Sequence, residues 1–160
     1  MENSKDTPTK SNYTRFYLML ICSFIAMYCT MYLNTYSIDH VYFSLTRFYM
    51  SCLGISTMAV IMLLFMLKMY TDKKKNIGIM LGSALLFLFA LFLVRTQKPI
   101  VGDLLWLRAM IPHHSIAILT SERAAIKDPE VKALAEDIIR AQKKEIEEMK
   151  NMIDRLENEK

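Results

Sequence analysis

The chain alternates long apolar runs with short charged ones, and then the pattern changes. No charged residue occurs from Phe16 to Ser37, from Phe48 to Leu67, or from Ile77 to Val94. Each run is close to the roughly 20 residues a helix needs to cross a hydrocarbon core. Backbone amides in lipid must pair within their own segment, so the runs predict three transmembrane helices. The first run is too long for a signal-peptide core and lacks a small-x-small cleavage site, so it is expected to be a retained anchor.

Beyond Lys98-Pro99 and a short linker with Gly102, the period becomes that of an amphipathic helix. Leu104, Leu107, Ile111, Ile118 and Leu119 recur at i+3/i+4 spacing and predict a helix from Asp103 to Ile126. Pro112 interrupts it, so a kink or a helix restart is expected there. Lys127-Asp128-Pro129-Glu130 reads as a second helix start: Asp128 caps, Pro129 fits the first helical position and Glu130 suits the positive helix end. That helix should run to about Glu157 on an apolar face including Val131, Leu134, Ile138, Ile146, Met149 and Ile153. A connection of two or three residues makes the two helices antiparallel neighbours. His114 should then face about position 142, Met110 about 145 and Asp103 about 153. The pattern predicts an all-α chain: an N-terminal tail over 1–15, three transmembrane helices within 16–98, and an antiparallel helical hairpin over 103–160.

Charge adds an orientation. Residues 103–160 carry 10 Lys+Arg against 12 Asp+Glu, and the remainder 10 against 4. The basic excess therefore belongs to the membrane part. Lys5, Lys10 and Arg15 precede the first span, and Lys68, Lys73, Lys74 and Lys75 follow the second. Only Arg47, Arg95 and Lys98 lie on the opposite side. The bias predicts a cytoplasmic N-terminus and an extracytoplasmic hairpin in a multi-pass protein of a cell membrane. No basic stripe with interleaved aromatics accompanies the charge, so no nucleic-acid partner is expected.

Cys22, Cys29 and Cys52 all fall inside apolar runs without metal-type spacing, and read as small apolar residues. Gly78 and Gly82 form a small-xxx-small pair suited to close helix packing. Met58, Met62, Met66 and Met69 make a one-face stripe, either apolar filler or a thioether ladder. No acidic or basic residue inside the runs marks a transport path.

The candidate chemistry is Met110-Ile111-Pro112-His113-His114. Imidazole and thioether suit soft or borderline ions, copper and silver above all. Gln142 and Glu145 interrupt the apolar face of the second helix and share a stripe with Met149 and Met152. Across an antiparallel hairpin these groups converge. Three readings stay open: a metal site, a structural polar layer, and a pH-sensitive layer. A carboxylate-bridged di-metal enzyme is not expected, because no Glu-x-x-His pairs are present.

The segment from Asp103 onward resembles the domain of unknown function 305 family. Asp103, Met110, Pro112, His113, His114, Ala117 and Ile118 match one part of its pattern. Leu134, Ala135, Ile138, Ile139, Gln142, Glu145, Ile146 and Met149 match the other. The three-span part, with its Asp39-His40 loop, looks like a membrane-anchored branch. The resemblance implies a ferritin-like module outside the membrane and an association of some relatives with copper or silver. One helix pair is half a four-helix bundle, which implies a homodimer through the hairpin. The expected protein is thus a bacterial, membrane-anchored binder of Cu(I) or a similar ion, with no enzyme activity. His113, His114, Met110, Met149 and Met152 are its candidate ligands. Glu145, Gln142 and, more remotely, Asp103 are expected to support them. The alternative is a non-metal helical interaction module on a membrane anchor.

Overall fold

A computed structural model describes residues 7–98 and 100–159, with side chains from Asn12 onward. Lys5, Pro99 and Lys160 lie outside the described residues, as does the side chain of Lys10. Among the described residues the chain is entirely helical. The elements are α1 (Thr7–Thr30), a 3-10 turn at Ile38–His40, α2 (Leu45–Phe65), α3 (Lys73–Thr96), α4 (Asp103–Arg123) and α5 (Pro129–Asn158).

Three of these helices are long and apolar enough to cross a membrane: Asn12–Thr30, Leu45–Phe65 and Lys73–Thr96. The first stops seven residues before the end of its uncharged run. Turn bonds from Leu33 N to Thr30 O and from Thr35 N to Tyr32 O close it, and the chain then leaves the helix. Apolarity extends further than helicity here because residues 30–47 bury against another part of the chain.

The chain divides into two compact units. One comprises 1–29 and 48–96. Its core joins Tyr13 and Phe16 of α1, Ala59 and Leu63 of α2, Tyr70, and Ile79 of α3. Tyr13 donates to Asn76 Oδ1 at 2.7 Å and accepts from Asp72 N at 3.1 Å. Asp72 in turn caps α3 through Lys74 N and Lys75 N. Outward-facing Leu85, Phe89 and Phe92 are 60–69% exposed, an arrangement suited to lipid rather than water. The close helix approach is at Gly54, where an added Cβ would stand 2.7 Å from Met27 Sδ. Gly78 and Gly82, the expected packing pair, have open space instead. Of the methionine stripe, Met62 and Met66 pack on the core while Met58 and Met69 are exposed.

The second unit comprises 30–47 and 97–160. Its frame is α4 against α5, around Leu107, Ile111, Ile118, Ile146, Met149 and Ile153. Asp128 caps α5 as expected, accepting from Glu130 N and Val131 N at 3.0 Å. Two expectations for this pair are corrected. Helix α4 runs unbroken through Pro112, whose ring is fully buried, so packing compensates the lost backbone bond without a restart. The connection is also longer, Ala124 to Asp128, because α4 ends at Arg123 rather than Ile126.

Candidate functional site

The antiparallel pairing sets which residues meet. His114 faces Glu145, with Nδ1 3.0 Å from Oε2, and Arg108 pairs with Glu157. His114 therefore meets a residue three positions beyond the expected 142, close to one turn along α5. Gln142 is still in reach, since its Nε2 donates to the same Oε2 of Glu145 at 3.4 Å. Of the two polar residues that interrupt the α5 face, Glu145 meets the imidazole and Gln142 meets Glu145.

His114 is largely shut off from solvent, and Nδ1 is fully buried. The Glu145 carboxylate is thus the electrostatic partner of Nδ1. Burial pulls the His114 pKa below the ordinary histidine value; Glu145 opposes the shift and His113 adds to it. Burial therefore favours the neutral imidazole, which is the ligating form.

The other candidates separate into groups. Met110 lies one turn before His114 on α4, and Met149 one turn after Glu145 on α5. Met149 is a core residue, and Met110 packs against the same cluster. Met110, His114, Glu145 and Met149 therefore form a two-by-two arrangement across the seam. Met152 is 44% exposed and falls off this arrangement. Asp103 sits exposed in the first turn of α4, where its charge suits the helix end. His113 does not converge with His114: the ring centroids are 6.2 Å apart, and His113 is exposed beside a cavity that Arg47, Trp106 and Met110 also line. Among the described residues, no three His, Cys, Asp or Glu side chains gather as a metal cluster. A metal here would need the thioethers, and an imidazole with thioethers suits a soft ion better than a hard one.

A polar junction next to this site was not legible in the helical periodicity. Ser115, fully buried on α4, accepts from Tyr36 N at 2.7 Å and lies 3.0 Å from His40 Nδ1. Lys150 on α5 reaches Asp39, and Lys143 lies over the Tyr36 ring. Burial lowers the His40 pKa, with Asp39 opposing. Asp39-His40 in an otherwise uncharged loop, and a serine between Ile111 and Ile118 on the buried face, were the available signals.

Comparison with known proteins bears on the same segment. Residues 97–159 match the family model described as Domain of unknown function (DUF305). Uncharacterized protein L153 of Acanthamoeba polyphaga mimivirus is 37% identical over 140 residues, covering 86% of this chain and 90% of that protein. That alignment is longer than 97–159, so the likeness extends into the membrane-length helices. This relative is viral rather than bacterial. No solved structure matches the chain. The chain belongs to the domain of unknown function 305 family.

Proposed function

We propose that this protein is a membrane-anchored binder of a soft monovalent ion, Cu(I) or Ag(I), held between α4 and α5. The observation that carries the reading is the largely buried His114 imidazole, which faces Glu145 at 3.0 Å across the seam and whose pKa burial lowers. His114 would be the imidazole ligand, and Met110 and Met149 the thioethers. Glu145 and Gln142 would orient the ring from the exposed side of the seam. Glu145 would hold Nδ1 and leave the other ring nitrogen to the ion. His113 and Met152 are assigned outside this set.

The three membrane-length helices support the anchor. With three crossings, residues 31–44 and everything after 97 lie on one side of the membrane. Their joining in one compact unit agrees with that topology. The Lys/Arg bias favours the extracytoplasmic side for this unit. In this reading the chain is the membrane-anchored branch of its family, and the function is non-enzymatic.

The test uses the full chain in detergent. Cu(I) is titrated against a competing chelator for wild type, His114→Ala and Met149→Leu. The proposal expects stoichiometric binding that His114→Ala abolishes. Binding no tighter than the chelator background would end it. A second reading is favoured by Val131 and Leu134, 49% and 60% exposed on α5: the hairpin is an interaction module that pairs with a second hairpin. Cysteine crosslinking from position 134 in membranes distinguishes a dimer from a monomer.

A further inference from the structure

Residues 30–47 belong to the second unit although they join α1 to α2. Their hold on α4 centres on one buried hydroxyl. Ser115 Oγ accepts the Tyr36 N–H at 2.7 Å and lies 3.0 Å from His40 Nδ1. A hydroxyl has a single hydrogen, and His40 Nδ1 is the acceptor that Ser115 has among the described residues. Nδ1 is therefore bare, and the ring proton sits on Nε2, which lies 3.8 Å from Asp39 Oδ2. The arrangement needs a neutral imidazole, and His40 is only 8% exposed. The charges around it are already balanced. Lys150 pairs with both Asp39 and Glu147, and Lys143 lines the same cavity of about 360 Å³. Two acids and two bases leave no spare negative charge for an imidazolium.

We propose that His40 is an acid-sensitive latch: a proton taken up at Nδ1 breaks the Ser115–His40 hydrogen bond and releases residues 36–42 from α4. The proton turns Nδ1 from acceptor to donor, so the Ser115 hydrogen loses its acceptor in a buried site. The added charge also stands beside Lys150 and Lys143. Burial, the largest influence, pulls the His40 pKa below its ordinary value of 6.5; Lys150 adds to the shift, and Asp39 and Glu147 oppose it. The latch is therefore fully closed above that ordinary value and is lost as pH falls through the lower folded one. Tyr36 and Tyr42 pack against the α4–α5 core, so release uncovers apolar surface of that core. The inference does not rest on the metal reading.

Hydrogen–deuterium exchange of the full chain in detergent reads the latch directly. Residues 36–42 are followed at about pH 7.5 and about pH 5.5, corrected for the intrinsic pH dependence of exchange, with residues 138–146 of α5 as internal reference. Wild type should lose protection over 36–42 by about tenfold or more at the lower pH while α5 holds. His40→Asn keeps an oxygen acceptor near the Nδ1 position and takes up no proton, so it should stay protected at both pH values. Ser115→Ala removes the latch, and should be open at the higher pH with little further response to acid. No acid response in wild type, an equal loss in α5, or a full acid response retained in His40→Asn overturns the proposal. Should His40→Asn be open at both pH values, Ser115→Ala decides, and a full acid response retained there overturns it.

Discussion

Lys150, near the middle of α5, ties down Asp39 in the loop between α1 and α2, with Nζ 2.5 Å from Oδ2. The two residues are 111 positions apart. The hydrogen bond from Lys150, with that from Ser37, lowers the Asp39 pKa to about 2 from 3.8. Its contribution to folding is therefore fully present above the unfolded value and is lost as pH falls through about 2. Asp39 is more than half exposed, so after screening the pair contributes about 0.5 kcal/mol or less. Thermal melts of wild type and Asp39→Asn between pH 5 and pH 2 should converge toward the acid end, and high salt should narrow the gap. A gap that stayed constant down to pH 2 would show that the pair is not the source.

The Ser115 junction should matter more, because it is buried. Ser115→Ala leaves the Tyr36 N–H and His40 Nδ1 without their shared partner. Orphaning buried polar groups costs about 1–3 kcal/mol. Denaturation of the full chain in detergent, with release of residues 30–47 to protease as a second readout, measures this. A loss under about 0.5 kcal/mol with an unaltered protease pattern would mean that the loop is held elsewhere.

Packing in the membrane-length unit gives a third expectation. Gly54→Ile should destabilise it, since even a Cβ there meets the Met27 thioether at 2.7 Å. Alanine should be mild, because the end of a methionine side chain moves easily. Gly78→Ile should be tolerated, as nothing lies within 4 Å of its Cβ position. Melting in detergent ranks the three variants, and a Gly78→Ile loss equal to that of Gly54→Ile would contradict this placement.

These contrasts mark where the residues were legible. The three uncharged runs and the Asp128-Pro129 start reflect local physics, namely apolar composition and capping, and each yields a helix, the first of them shorter than its run. The Gly78/Gly82 spacing is equally local, yet which glycine another helix approaches depends on its neighbours, and Gly54 has the contact. Residues 30–47 carry no period, so apart from Asp39-His40 and Ser115 little along the chain announced that they complete the second unit. The α4–α5 register shifted because the helix end at Arg123, not the apolar periodicity, sets the loop. Adjacent histidines on a helix point about 100° apart. The same geometry that put His113 and His114 in one motif therefore sends them to different surroundings.

That divergence is the sharpest test of the metal reading. His114 lies in the seam against Glu145, whereas His113 borders the Arg47 cavity. A soft ion held between the helices should therefore lose most of its affinity in His114→Ala and little in His113→Ala. Met149→Leu conserves volume and apolar packing, so its effect on binding is separable from its effect on the core. It should weaken Ag(I) and Cu(I) more than Zn(II), because a thioether favours the softer ions. Glu145→Gln keeps the shape of the side chain and removes its charge, and should cost on the order of 10–100-fold if the carboxylate orients the ring. The polar-layer reading expects the reverse emphasis. There, His114→Ala changes the melting temperature equally with and without added metal, and Met149→Leu changes no binding constant. Competitive titration of the four variants, each paired with a melt in chelator and in Ag(I), separates the two. Equal losses for His113→Ala and His114→Ala would mean that the ion sits outside the seam.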